Sequence, residues 1–124
     1  MSGNRYFLDT NAVIALLSGN KAIEEMLNEA EWVGISSISV IEFFAFPELS
    51  FNDRLLFTSL LDRIEVVALT ADAGFLESLA FLKIESNLKL PDAIISGYAI
   101  QLQAILLSND RHFENINKLK LQKF

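Results

Sequence analysis

The sequence predicts an α/β fold: a mostly parallel central sheet of four or five strands with helices on both faces. Three observations predict it. Strand-like and helix-like segments alternate along all 124 residues. The strand-like segments are unbroken apolar runs rather than alternating ones, as in parallel sheets buried on both faces. The length is that of one ordinary domain, and no repeat, low-complexity tract or composition shift divides residues 1–124.

Arg5–Leu8 reads as a short buried strand ending at Asp9. Residues 11–18 form a short helix stopped by Gly19. Residues 21–31 have helical spacing, with Ile23, Met26 and Leu27 on one face. Trp32–Ser36 is a second apolar strand, and residues 38–46 form a helix that Pro47 ends. Ser50 caps a helix over 52–63, with Asp53 at its positive end. Residues 65–69 are β-branched and strand-like. Thr70 caps a helix over 71–85, which Ser86-Asn87 breaks. Pro91, in its favoured first-turn position, opens a helix to about Gln103. Residues 104–107 are a buried strand and 119–124 a last edge strand.

Composition narrows the class. The hydrophobic fraction is 52 % and the mean hydropathy +0.34. That is high for a lone soluble domain and points to apolar surface covered by a partner. The absence of cysteine excludes a disulfide scaffold and a thiolate metal site, and fits a reducing cytoplasm. The longest apolar stretch, 93–107, is interrupted by Gln101 and Gln103 and falls short of the roughly 20 residues a membrane span needs. The N-terminus carries no signal-peptide pattern. A net charge of −6 argues against broad phosphate binding. The basic residues are uneven, however: Arg111, Lys118, Lys120 and Lys123 crowd the C-terminal end beside Asp110.

The chemistry rests on four carboxylates at the ends of apolar runs: Asp9, Glu42, Asp92 and Asp110. An acid beside a core segment is costly to desolvate unless it is paired, hydrogen-bonded or metal-bound. Each has a plain structural reading. Asp9 caps the helix after it. Ser39-Val40-Ile41-Glu42 matches a capping box. Asp92 complements a helix dipole, and Asn109-Asp110 is a turn pair. Judged singly, those readings are the commoner ones. Two features weigh against them. Glu42 lies in a run, Ile41 to Phe46, that offers little water-facing area. Separate caps also do not predict the joint pattern. Parallel sheets bind ligands outside the carboxyl ends of their strands. Asp9 and Asp110 follow strands directly, and Glu42 lies early in the helix after the second. Asp92 needs more help from the fold to reach that edge. Convergent acids repel one another and require a cation, and oxygen donors favour Mg²⁺ or Mn²⁺.

At these positions the chain resembles a PIN-domain ribonuclease, and among these the compact VapC-type toxins of type II toxin–antitoxin pairs. Phe7-Leu8-Asp9-Thr10-Asn11 resembles the family's first motif. Ser37-Ile38-Ser39-Val40-Ile41-Glu42 resembles the second, Lys89-Leu90-Pro91-Asp92-Ala93-Ile94-Ile95 the third and most distinctive, and Leu107-Ser108-Asn109-Asp110-Arg111-His112-Phe113 the fourth. Serine stands at 108 where the family more often has threonine. The resemblance spans essentially the whole chain and implies a PIN-like three-layer α/β/α fold. It implies a Mg²⁺- or Mn²⁺-dependent endoribonuclease that leaves a 5′-phosphate and a 3′-hydroxyl. The catalytic acids would be Asp9, Glu42, Asp92 and Asp110. Asp9, Asp92 and Asp110 would hold the metal directly or through water, and Glu42 would be a ligand or an acid/base group. The implied partners are an RNA substrate, a cognate antitoxin, and a second copy of the chain in a homodimer or a larger hetero-oligomer. The net acidity favours a small recognised RNA element or a second, basic subunit.

Asn11 orients Asp9 or a metal-bound water, or is simply a first-turn residue. Ser108 hydrogen-bonds Asp9, or merely ends a strand. Lys89 and Arg111 flank motif acids and contact phosphate, or are solvated charges. His112, the single histidine, reads as a solvent-exposed turn residue. Phe43, Phe44, Phe46, Phe51 and Phe57 exceed what a small core face buries, so some are expected on a dimer surface or an antitoxin groove. The alternative function is a catalytically silent PIN-like module that binds RNA or protein; the presence of all four acids argues against it. An unrelated phosphotransfer domain fares worse, lacking an Asp-x-Asp after the first strand and a glycine-rich phosphate loop.

Overall fold

The computed structural model describes residues 3–124. In chain order the elements are β1 (Arg5–Leu8), α1 (Thr10–Leu17), α2 (Lys21–Asn28), β2 (Trp32–Ser36), α3 (Ser37–Phe44), α4 (Phe51–Leu61) and β3 (Glu65–Val67). They continue with α5 (Ala73–Glu85), α6 (Leu90–Gln101), β4 (Ile105–Leu107), a 3₁₀ turn (Arg111–Phe113) and β5 (Lys120–Gln122). The five strands form one sheet in the order β3-β2-β1-β4-β5. Every pairing is parallel, so the mostly parallel expectation is met in full.

Period-two alternation divides the core between the two faces of the sheet. Phe7 and Leu106 point to one face, which α5 and α6 cover with Leu79, Ile94, Ile95 and Tyr98. Tyr6, Leu8, Ile35 and Leu107 point to the other. There Val13 of α1, Ile23 of α2, Phe43 of α3 and Phe57 of α4 pack on them. The result is three layers, α/β/α. No helix among the described residues is long and apolar enough to cross a membrane.

The order of strands sets the site. From β1 the chain steps outward through β2 to β3, then crosses back to place β4 on the other side of β1. The switch point therefore lies between β1 and β4, and the crevice outside their carboxyl ends is where such sheets take ligands.

Several boundaries differ from the sequence expectation. The α2 helix stops at Asn28, capped at Glu29. Helix α3 ends at Phe44, because the residue before Pro47 is already excluded from helical geometry. Asp72, not Thr70, caps α5, accepting the Phe75 N–H at 2.9 Å. Thr70 instead accepts the Asp72 N–H at 3.0 Å and makes a turn ahead of the cap. Helix α6 ends at Gln101, and Gln103 turns the chain in the left-handed region, φ 54°. Strand β3 is three residues long and largely exposed, as an edge strand with a single neighbour.

Candidate metal centre

Asp9 follows β1 and begins α1. Its carboxylate accepts the Ala12 N–H at 2.7 Å, so the cap reading is correct. It is nonetheless only 5 % exposed, which a simple surface cap is not. Ser108, directly after β4, is fully buried. Its hydroxyl hydrogen-bonds the Asp9 carboxylate and accepts the Asp110 N–H at 3.0 Å. One small side chain thus ties together the ends of β1 and β4, whose register pairs Leu8 with Leu107.

Asp110 opens the 3₁₀ turn. Its Oδ1 accepts the His112 N–H at 2.9 Å, and His112 Nδ1 lies 3.0 Å from the same oxygen. Asp92 sits in the first turn of α6, after Lys89, whose side chain makes no capping bond. The free N–H groups and dipole of that helix end favour an anion there. Glu42, on α3, accepts the Thr10 hydroxyl at 3.3 Å.

All four acids line one cleft of about 410 Å³, together with Thr10, Asn11 and the apolar walls Phe46, Ile95 and Phe113. The helix start that carries Asp92 does reach the edge where Asp9 and Asp110 lie. The burial of Asp9 raises its pKa above the usual carboxylate range; Ser108 and the Ala12 N–H pull it back, while the charges of Asp110 and Asp92 push it up. Asp92 is also raised, by burial and then by Asp110, against the opposing charges of His112 and Lys89. Two neighbouring carboxyls that resist ionisation are the condition a cation relieves.

Asp92, Asp110 and His112 each offer a ligand atom within 4.8 Å of the others. Asp9 stands beside this trio rather than in it, near enough to feel both aspartate charges. The donor set is carboxylate oxygens with one imidazole, which fits a hard or borderline divalent ion such as Mg²⁺ or Mn²⁺.

Two expectations at the site are corrected. The capping box over residues 39–42 does not form: Ser36 caps α3, accepting the Ile38 N–H at 3.1 Å. Ser39 lies buried in mid-helix, and among the described residues its hydroxyl has no hydrogen-bond partner. The run around Glu42 is not dry either, since Glu42 is exposed and its neighbour Ile41 is 64 % exposed. His112 is exposed as expected, yet it is held against Asp110 rather than free. Arg111 and Lys89 are exposed; Arg111 does not line the acidic cleft but a neighbouring groove. Sequence reasoning missed Thr10. Its hydroxyl follows a motif acid immediately, and that adjacency was the available signal.

The chain is thus a parallel α/β/α domain with an acidic cleft suited to a cation at its switch point. The sequence profile of the PIN domain matches residues 6–119. The chain belongs to the PIN domain family. No curated protein sequence matches it. Among solved structures it is similar to a toxin–antitoxin complex from Klebsiella pneumoniae, at 25 % identity over 92 % of this chain and 94 % of that one, TM-score 0.76. It is similar to DNA-bound VapBC from Salmonella typhimurium, at 21 % identity over 97 % and 98 % of the two chains, TM-score 0.77. It is also similar to VapBC2 from Rickettsia felis bound to a promoter DNA fragment, at 22 % identity over 97 % and 98 %, TM-score 0.73.

Proposed function

We propose that this chain, acting as one PIN domain, is a divalent-metal-dependent endoribonuclease and the toxin of a type II toxin–antitoxin pair. The observation that carries the reading is the convergence of Asp9, Glu42, Asp92 and Asp110 on one cleft outside β1 and β4. In this reading Asp9, Asp92 and Asp110 hold Mg²⁺ or Mn²⁺, directly or through water. When bound, the ion supplies a lowered pKa for the attacking water and positive charge against the phosphate. Ser108 fixes Asp9 and Asp110 at a constant separation. Thr10 fixes Glu42, which serves as a ligand or takes a proton at its free oxygen. Asn11 at the cleft rim orients Asp9 or water. Lys89 and Arg111 meet phosphates to either side. The displacement leaves a 5′-phosphate and a 3′-hydroxyl.

The partner half of the reading is supported by the toxin–antitoxin complexes among the structural neighbours and by an apolar surface. Phe51 is 76 % exposed and Phe46 41 % exposed, whereas Phe43 and Phe57 are core. Beside them lies an apolar groove of about 410 Å³ lined by Ile14, Leu17, Phe43, Phe46, Pro47 and Leu49. We assign that groove to an amphipathic antitoxin segment, with a homodimer or hetero-oligomer built around it.

The test incubates the purified chain with structured RNA and Mg²⁺ or Mn²⁺, beside Asp9→Asn and Asp92→Asn. The reading requires cleavage that stops with EDTA and falls at least about a hundredfold in each variant. Cleavage that survives both substitutions would falsify it.

A further inference from the structure

Next to the acidic cleft lies a larger groove of about 990 Å³ between α5, the end of α6 and the segment after β4. The 3₁₀ turn Arg111–Phe113 is the wall between them. Phe113 and Asp110 line the cleft, whereas Arg111 and His112 line the groove. The two spaces therefore meet at the Asp110–His112 contact of 3.0 Å.

The groove has a charge unlike that of the chain. Its wall carries Arg111 and Lys118 against one acid, Glu85, in a molecule of net charge −6. Neither Arg111 nor Lys118 forms a salt bridge among the described residues. Lys118 occupies a left-handed turn position, φ 68°, where glycine or asparagine would sit more easily. Gln101 and Asn115 add exposed amide donors and acceptors. On the opposite wall Phe81 is 62 % exposed.

We infer that this groove is the track for single-stranded RNA flanking the cleaved phosphate, with Arg111 and Lys118 on backbone phosphates and Phe81 stacking a base. The inference rests on the nuclease reading of the adjoining cleft. A basic track with an aromatic platform is what unpaired nucleic acid requires, because every base has a face to stack and every link a charge. A second copy of the chain fits less well. Interface cores are depleted of charge, whereas this groove carries Arg111, Lys118 and Glu85. The track also explains how an acidic chain grips RNA: the basic charge is local and adjoins the site.

The experiment uses the full chain carrying Asp92→Asn, so that RNA survives, with Mg²⁺ present. Fluorescence anisotropy follows binding of a labelled single-stranded twelve-nucleotide RNA across a salt series. Adding Arg111→Gln and Lys118→Gln together should weaken binding about tenfold and reduce the salt slope by about one to two. Adding Phe81→Ala should weaken it about tenfold with the slope kept. Unchanged affinity and slope in both overturn the track, as does a parent that binds no RNA. Light scattering on the same samples settles the rival occupant: Phe81→Ala that turns a dimer into a monomer without altering RNA affinity gives the groove to a second copy and overturns the inference. Cleavage of a dinucleotide by the unsubstituted chain separates the two readings. Dinucleotide cleavage with groove variants that bind normally sinks the track alone. No cleavage of any RNA, with groove variants that lose binding, sinks the nuclease reading and leaves the groove as an RNA-binding surface without a cleaved phosphate beside it.

Discussion

At the scale of single residues, the site turns on how Asp9 is held. Its carboxyl is buried, capped by one N–H and tied by one hydroxyl to the neighbouring strand. Ser108→Ala removes the hydroxyl shared by the Asp9 carboxylate and the Asp110 N–H. It should cost about 1–3 kcal/mol in urea unfolding, and metal affinity should fall with it. The sign of the pH dependence follows from the raised pKa values of Asp9 and Asp92. An unfolded aspartate ionises near about pH 4. The folded carboxyls hold their protons above that pH, so their contribution to stability is full below it and is lost as pH rises through their folded values. In the metal-free chain Asp9→Asn, which keeps the cap, should therefore be more stable than the parent at neutral pH. That advantage should vanish toward pH 4, as thermal melts across pH would read. Mg²⁺ or Mn²⁺ should raise the parent's Tm at neutral pH and not in acid, since binding requires the ionised forms. The sequence made the four acids visible because each interrupts an apolar run. Adjacency to Asp9 marked Thr10 only as a neighbour; its bond to Glu42 and the hold of Asp110 on His112 depend on how the helices and the turn are placed.

At the scale of elements, the interior strands were the most legible part. Arg5–Leu8 and Trp32–Ser36 appear with the expected ends, because an unbroken apolar run has one stable place, the middle of a sheet. Helix ends were less legible. Ser39 and Thr70 are good capping residues by type, but Ser36 and Asp72 stand where the chain actually turns. Several neighbouring residues can cap a helix, and tertiary packing decides among them. Gly34 illustrates a packing need that no periodicity announces. A Cβ there would collide with the indole of Trp32, which stacks on Phe7 and lies 4.5 Å under the Arg5 guanidinium. A rigid ring cannot step aside as a methyl tip can. Gly34→Ala should destabilise the chain by about 1–3 kcal/mol. Because Trp32 is the sole tryptophan, its emission should shift to the red in the folded variant.

At the scale of the whole molecule, convergence of the acids is a property of strand order. Nothing in the spacing of Asp9 and Asp110 says that β1 and β4 are neighbours; the crossover that places them side by side does. The family motifs carried that information in the sequence, while composition and periodicity reached only the parallel α/β class. The high apolar content likewise resolves into surface: Phe51, Leu55 and Ile41 are each more than half exposed. The isolated chain should self-associate at low micromolar concentration in light scattering. Phe51→Ser with Leu55→Ser should lower its mass without lowering its Tm, since neither residue is in the core.

The role proposed for the cleft between β1 and β4 is to hold a divalent cation through its carboxylates. Titration of the chain with Mn²⁺ at neutral pH, followed by electron paramagnetic resonance of the free ion, tests it without reference to any substrate. Binding should be saturable and weakened at least about tenfold by Asp92→Asn and by Asp9→Asn. A chain that leaves the free-ion signal untouched, or that binds as tightly without Asp92 and Asp9, contradicts it.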